Sequence, residues 1–228
     1  MTAARTVAAR FAGAARIHAL LLALAALVAA PARAEDATAW LARAAAAAKE
    51  LNYAGTIAFH LGDRLETSRI VHLNEAGSEF EKLTSLDGPA REVIRSNGEV
   101  RCYFPDARVV RVEPPSLRND FPSLSPQQQS TLAQFYDFRK AEKARVAGLE
   151  AQAYVFEPKD GFRYGHKFWA DTQTGLLLKA RLLNERGDAI EQFAFLDVHI
   201  GARIDRDMVK PSWPPVPAYW VVKEFGRG

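Results

Sequence analysis

The chain has 228 residues, a formal net charge of +3, a single cysteine, and hydrophobic side chains at 48% of its positions. This length allows one good core, alone or with a small appendage, and one cysteine excludes an intramolecular disulfide. The first 34 residues contain four arginines and no acidic residue, so without them the net charge is about −1. The positive charge therefore does not indicate nucleic acid as a partner.

The first 34 residues have the pattern of a signal peptide. Three arginines precede an unbroken apolar run, "ALLLALAALVAA" (19–30), and "ARA" (32–34) supplies the small residues that a signal peptidase reads. A transmembrane helix needs roughly 20 apolar residues, so the run is too short to span a membrane comfortably. We expect export with cleavage after Ala34, and an uncleaved anchor is the alternative.

The next residues predict one helix and then a series of strands. In 36–51, Trp40, Ala44, Ala48 and Leu51 recur on one helical face, and alanine favours the helix. The period of the apolar residues then changes to two, in six short segments that are each followed by turn residues. These segments are 53–61, 64–73, 78–86, 91–96, 99–104 and 107–113. No crossover helix fits between them, so they predict an antiparallel meander. A two-residue turn at Gly62-Asp63 would pair residue 61 with 64 and residue 60 with 65.

A proline-rich loop and a second helix interrupt the strands. The loop covers 114–126, and Ser125 with Pro126 predicts the start of a helix over 126–138. Strand patterns resume after it, within 143–158, 162–171, 176–185 and 188–200. Proline then dominates 211–217, which predicts an extended spacer.

The sequence lacks the common motifs for nucleotide binding, nucleophilic catalysis and zinc binding. It contains no glycine-rich nucleotide-binding motif, no nucleophile elbow and no cysteine pair for zinc. The predicted hairpin register separates His60 from His72, and most acidic residues lie beside turns. Cys102 alternates with Val100 and Phe104, which is typical of a core residue. We therefore expect no enzymatic activity, cofactor or metal.

The later strands are apolar on both faces, unlike a sheet with one solvated face. In 188–200 we place Ile190, Ala194, Leu196 and Val198 on one side, opposite Phe193 and Phe195. One face could hold the helix at 36–51, and the other could line a concave surface for a lipid or an apolar partner segment. The candidate residues for this apolar cavity are Trp169, Leu177, Phe193 and Phe195. An ordinary two-layer core without a cavity is the alternative.

Several stretches, in order from about residue 38 to 200, resemble the RseB/MucB family of periplasmic regulators of the envelope-stress sigma factor. They are "LNYAGT", "RIVH", "SLDGPAREVIRSNGEV", "FYDF", "RVAG" and "PKDGFRYGHKFWADTQTGLLLKARLLNERGDAIEQF". Each is a weak turn-plus-strand pattern alone, but their joint order is specific.

The resemblance implies a mainly β (α+β) fold similar to LolA and LolB. Such a fold is a strongly curved antiparallel sheet, or half-open barrel, with helices on its concave side. The implied function is to bind the periplasmic part of a RseA/MucA-like anti-sigma factor and to protect it from proteolysis until lipidic signals cause release. The alternative is a periplasmic carrier of lipid or lipoprotein acyl chains without a signalling partner. Homo-oligomerisation stays open.

The resemblance also implies the domain boundaries, since family members carry a second, smaller domain after the proline spacer. We expect a signal peptide at 1–34, a lipid-sensing domain at 35–205, a linker at 206–218 and the start of a second domain at 219–228.

The family's most recognisable segment is predicted to be a turn, a strand and a hairpin turn. Its residues Asp87, Gly88, Pro89, Arg91 and Glu92 have two interpretations: a structural turn, or part of a signal or partner surface. We expect Arg91 and Glu92 to be exposed or paired with neighbouring charges.

Overall fold

Two helices and a twelve-stranded sheet make up the part of the chain that the structure, a computed structural model, describes: residues 36–96, 98–113, 124–213 and 220–224. The predicted signal peptide and most of the proline-rich loop lie outside these residues. The elements are α1 (Ala37–Glu50), β1 (Tyr53–Leu61), β2 (Arg64–Glu75), β3 (Ser78–Ser85), β4 (Glu92–Ser96), β5 (Glu99–Phe104), β6 (Val109–Glu113), α2 (Pro126–Phe135), β7 (Tyr136–Val146), β8 (Leu149–Pro158), β9 (Gly165–Asp171), β10 (Leu177–Leu183), β11 (Ala189–Ile200), a 3₁₀ helix (Arg206–Val209) and β12 (Val221–Glu224). None of the described helices is long and apolar enough to cross a membrane.

Helix α1 forms where the alanine content and the spacing of apolar residues predict it. The Asp36 carboxylate accepts a hydrogen bond from the Ala39 N–H at 2.7 Å, which satisfies one free donor of the first turn. The buried face consists of Trp40, Leu41, Ala44, Ala47 and Ala48. Because most of these side chains are small, the helix can approach the sheet closely and insert the Trp40 ring into the core.

Helix α2 begins as predicted but is shorter. Ser125 and Gln128 form a capping box, with N–H to side-chain oxygen distances of 3.2 and 2.8 Å. The helix ends at Phe135, and Tyr136 already has extended dihedrals (φ −126°, ψ 146°). The predicted helix over 126–138 was wrong at its end, because Tyr136 pairs with Pro158 and continues into β7.

The sheet joins two antiparallel meanders in the order β12-β6-β5-β4-β3-β2-β1-β11-β10-β9-β8-β7. Strands β1 to β6 form the predicted first meander, and its first turn pairs Leu61 with Arg64 and His60 with Leu65 as expected. Pairing of β1 with β11 joins the two meanders, while β12 runs parallel to β6. The predicted strand segment at 143–158 is two strands, because Ala147 and Gly148 form a turn with positive φ angles of 49° and 82°.

The sheet is curved, since β7 contacts β11 although three strands separate them in the sheet order. Residues paired across strands share a face, which places Tyr53, Ile70, Phe168 and Phe195 on the concave side. The main core cluster, which contains these residues, also contains the buried side chains of α1. The predicted mainly β class, with a curved antiparallel open sheet and helices packed on it, is confirmed.

A β-bulge in β11 changes the predicted faces of its residues. The register shifts between Thr56 and Ile57 of β1, whose partners are Asp197 and Phe195, so Leu196 is the extra residue. Val198 therefore lies on the same side as Phe195, and Leu196 is 57% exposed. Gly55 faces this bulge, where an added Cβ would lie 2.2 Å from the Asp197 carbonyl oxygen, so only glycine fits.

The segment after β11 packs on the convex face of the first meander. Ile204 and Val209 lie against Val71, Leu73 and Phe80. Residues 206–213 of the predicted linker are thus in contact with the sheet, as far as the described residues extend.

Candidate functional site

The candidate functional site is a pocket on the concave face, between α2 and strands β9 to β11. It encloses about 300 Å³ and is lined mainly by apolar side chains and two glutamines of the helix: Leu124, Gln127, Gln128, Thr131, Leu132, His166, Phe168, Leu177, Ala180, Arg181, Leu182, Glu191 and Phe193. We call it the helix pocket. Its wall from α2 and its floor from the sheet suit an apolar ligand with a small polar group.

Two titratable side chains of the helix pocket are shifted towards their neutral forms. Burial lowers the pKa of His166 to about 4, so its imidazole is uncharged at neutral pH. The ring stacks on Phe168, with centroids 5.8 Å apart. Burial also raises the pKa of Glu191 above its usual value. Both shifts reflect a site from which water is partly excluded.

A second pocket of about 200 Å³ lies beside the first, on the concave face of β1 to β4. Its walls are Ile57, Phe59, Glu66, Ser68, Leu83, Ser85, Arg91, Val93, Arg95 and Phe193. We call it the strand pocket. Phe193 lines both pockets, and its ring stacks on Phe59 with centroids 4.4 Å apart. The two pockets therefore adjoin at this aromatic pair.

The four residues predicted to line an apolar cavity do not lie together. Leu177 and Phe193 line the helix pocket. Phe195 lies on the same face but is only 2% exposed, with its ring edge-on to Tyr53 at 6.2 Å. Trp169 pairs with Lys179 and Ala153 and faces the convex side, away from both pockets.

A register shift brings Leu177 to the concave side. It falls between Leu177 and Lys179, which pair with the successive residues Ala170 and Trp169. The helix and the pocket thus share one face of the sheet, whereas the sequence suggested opposite faces. Leu178 is the extra residue of β10. Leu177 therefore shares a face with Phe168, whereas Trp169 lies on the opposite face.

The predicted motif residues are divided between a surface turn and a buried ion pair. The Asp87 carboxylate accepts from the Thr67 N–H at 2.9 Å and from its hydroxyl at 2.7 Å, and Gly88 has a φ of +63°. Pro89 lies exposed in the same turn. Arg91 lines the strand pocket, where its guanidinium is 3.7 Å from the Glu66 carboxylate.

Glu92, expected to be exposed or paired, is paired and only 3% exposed. Its carboxylate lies 3.0 Å from the Lys82 ammonium and accepts from the N–H and hydroxyl of Ser212 at 2.9 and 2.5 Å. The same ammonium donates to the Lys210 carbonyl at 3.0 Å. This residue pair therefore holds the segment 210–212 on the convex face.

These features favour binding of an apolar ligand, and the comparisons with known proteins give the family. The family model of the MucB/RseB N-terminal domain matches residues 36–213. The chain belongs to the MucB/RseB family.

Curated MucB/RseB relatives and a solved structure agree with this assignment. The chain is 35% identical to the sigma factor AlgU regulatory protein MucB of Pseudomonas aeruginosa, over 86% of this chain and 61% of that protein. It is 27% identical to the sigma-E factor regulatory protein RseB of Escherichia coli K12, over 75% of this chain and 54% of that protein. The structure of the Pseudomonas aeruginosa MucA/MucB complex matches with a TM-score of 0.63 and 32% identity, over 78% of this chain and 61% of that chain. The chain thus spans about half to three fifths of these relatives.

Sequence reasoning missed several residues of the candidate site in this MucB/RseB domain. Gln128 and Leu132 form the helical wall together with Leu124, which precedes α2, and His166 and Leu182 complete the floor. The sequence predicts α2 but not which of its faces meets the sheet. The one available signal was the concave-side helix that the family resemblance implied.

Proposed function

We propose that this chain is the lipid-sensing domain of a negative regulator of the envelope-stress response. In this proposal it binds the periplasmic part of a RseA/MucA-like anti-sigma factor and protects it from proteolysis. The observation that carries the proposal is the match to MucB from the MucA/MucB complex over 78% of the chain. The printed names of the relatives, which are regulatory proteins of sigma factors, support the same role.

The domain would act in the periplasm and by binding rather than by catalysis. The predicted signal peptide supports export, and cleavage after Ala34 would leave Glu35 as the first residue. Mass spectrometry of the exported protein tests this point, and an intact Met1 species in membranes would contradict it.

The concave pockets supply a physical basis for release by lipidic signals. The helix pocket, at about 300 Å³, lies at the lower end of the roughly 300–1,000 Å³ of small-molecule sites. The strand pocket adjoins it at Phe193. An acyl chain that enters would bury apolar surface at about 25 cal/mol per Å² and meet an uncharged His166, with Arg181 also in the lining. A ligand shifts the binding equilibrium only as far as its affinity differs between free and partner-bound protein.

The pockets also favour a second candidate function, a periplasmic carrier of lipid or lipoprotein acyl chains without a signalling partner. Both candidates require acyl binding on the concave face. Only the first requires affinity for the anti-sigma segment, so that affinity discriminates between them.

Titration calorimetry of residues 35–228 against the periplasmic segment of a MucA-like anti-sigma factor tests the leading proposal. We expect saturable binding that protects the segment from a site-1-type protease in the same mixture. Because the chain spans 61% of MucB, and a linked second contact raises avidity by roughly 10² to 10⁴, we expect affinity at least about 10²-fold below that of a full-length relative. Absence of binding, with acyl binding intact, would favour the carrier.

A further inference from the structure

Trp169 lies on the convex face under three basic side chains. The Lys167 and Lys179 ammonium groups are 5.1 and 4.9 Å from the indole centroid, and the Arg181 guanidinium is 5.4 Å from it. The ring is only 5% exposed. We call these three residues the basic triad. Neighbouring strands β9 and β10 hold the triad, because Trp169 pairs with Lys179 and Lys167 pairs with Arg181.

The positive charge of the basic triad is only partly balanced. Lys167 is 2.8 Å from the Glu142 carboxylate, which is itself 55% exposed. Arg181 donates to the neutral amide oxygen of Gln192 at 2.6 Å. Among the described residues, the structure shows no ion pair for Lys179 or Arg181. The site thus gathers three cations around one ring with one carboxylate at its edge.

Attraction to the indole accounts for part of this arrangement but not for all of it. A cation over an aromatic face is stabilised by the ring quadrupole, and long basic side chains cover apolar surface with their stems. Crowding three like charges opposes this. Burial, followed by the charges of Arg181 and Lys167, lowers the pKa of Lys179. A bound anion would relieve the repulsion and gain charge-assisted hydrogen bonds from all three donors.

We propose that Lys167, Lys179 and Arg181 form an anion-binding site that takes a phosphate group beside Trp169. A guanidinium supplies a planar pair of donors for two phosphate oxygens, and two ammonium groups supply the remaining charge. The phosphate belongs to a free phosphate monoester or to the headgroup of a phospholipid, which share this chemistry.

The site lies on the face of the sheet opposite to the acyl pockets, and of the three triad residues only Arg181 also lines the helix pocket. Phe168 and Trp169 are successive residues of a strand, so their side chains point to opposite faces of the sheet. Phe168 lines the helix pocket. The sheet therefore lies between an acyl chain in that pocket and the Trp169 indole with its two ammonium groups, whereas Arg181 belongs to both linings.

The first experiment titrates inorganic phosphate into ¹⁵N-labelled wild-type protein and follows the Trp169 indole N–H resonance, assigned with Trp169→Phe. We expect a saturable shift that weakens as sodium chloride rises. Because hydrogen bonds to charged groups are the strong ones, Lys179→Gln with Arg181→Gln should weaken binding at least about tenfold. The matched control, Arg139→Gln with Lys143→Gln, removes two charges from the exposed ion pairs of β7, which β8 separates from β9, and should leave the affinity unchanged.

A second experiment separates the two sources of phosphate. Co-sedimentation with phosphatidylglycerol vesicles, with phosphatidylcholine vesicles as reference, reports on headgroup binding. Binding of phosphate alone supports a free ligand, and vesicle binding lost in the triad variant but not in the control supports a headgroup. If neither probe binds, or if triad and control variants lose affinity equally, the triad only covers Trp169 and the proposal is wrong.

Discussion

Phe193 stacks on Phe59 across the β1–β11 pair, with ring centroids 4.4 Å apart, and this contact marks where the two concave pockets adjoin. Phe195, two residues further along β11, is instead enclosed against Tyr53 and 2% exposed. The same residue type thus lines two pockets at one position and is enclosed in the core at the other.

This difference predicts opposite effects of one substitution. Phe193→Asp should weaken binding of a fluorescent long-chain fatty acid at least about tenfold while the protein stays folded, because the new carboxylate remains near water. Phe195→Asp should cost more than the roughly 3–5 kcal/mol of truncating a buried phenylalanine, because it also buries a charge. Urea unfolding and fatty-acid titration measure both effects. If both variants unfold and the wild type binds no acyl probe, the pockets are ordinary core.

Two substitutions of Trp40 are expected to lower the free energy of unfolding by different amounts. Its ring is fully buried and lies 4.6 Å from Tyr154 and 5.6 Å from Phe156. Among the described residues its indole N–H has no acceptor. Trp40→Ala should cost about 3–5 kcal/mol, measured by urea unfolding. Trp40→Phe should cost clearly less, because it keeps an aromatic ring in the core. Both variants remove the unsatisfied donor, which costs about 1–3 kcal/mol in the wild type. Equal losses for the two variants would show that an aromatic ring at this position does not stabilise the core.

The Glu92–Lys82 pair predicts a link between stability and the segment after β11. The Glu92 and Lys82 side chains are 4% and 15% exposed, so Glu92→Ala leaves a mostly buried ammonium unpaired. We expect a loss of about 3–5 kcal/mol and faster hydrogen exchange at 210–213. Lys143→Ala is the control, because its ion pair with Glu150 is 68% and 60% exposed and should contribute only about 0–1 kcal/mol. Unchanged exchange at 210–213 would argue against the link.

His72 predicts a pH dependence of stability. Its ring is fully buried, and its two nitrogens lie 2.8 Å from the Leu51 carbonyl and 3.3 Å from Glu79. Burial favours the neutral ring, but Glu79 and Glu81 outweigh it and raise the pKa of His72 above its usual value. Protonated His72 therefore contributes stability below about pH 6.5, and this contribution is lost as the pH rises through the raised pKa.

Replacing Glu79 by Gln tests this dependence, since it removes the hydrogen-bond partner that raises the pKa of His72. We expect the variant to lose more stability, relative to wild type, at about pH 5.5 than at about pH 8.5. The pKa of Glu79 itself is lowered, so protonation of its carboxylate changes the stability only below this pH window. Glu75→Gln, which breaks the exposed pair with Arg206, should show no such difference. Equal losses for Glu79→Gln at both pH values would contradict the assignment.

The sequence was sufficient where local chemistry decides structure. Turn residues and alternation predicted the first meander and the register of its first hairpin. They also predicted the core position of Cys102, which is 2% exposed beside Val93. Ser125 and Pro126 marked the start of the second helix. These features depend on neighbours in the chain, so they can be predicted without knowing the tertiary packing.

The site could be predicted less well, because it depends on strand register. The bulge at Leu196 and the shift after Leu177 each change which face a side chain occupies, and a one-residue shift reverses the pattern beyond it. Alternation alone therefore grouped Trp169 with Phe193, although the sheet separates them. The early end of α2 has a similar cause, since pairing of β7 with β8 outweighs the helical pattern of Tyr136 to Phe138.

The central claim, that an acyl ligand in the concave pockets releases an anti-sigma segment, is tested most directly by displacement. Fluorescence anisotropy of a labelled periplasmic segment of a MucA-like anti-sigma factor, bound to residues 35–228, is followed while a long-chain fatty acid is added. We predict release from the wild type and at least about tenfold less effective release from Phe193→Asp, with segment affinity itself unchanged. A segment that does not bind, or one that stays bound while the wild type is saturated with fatty acid, would contradict this account.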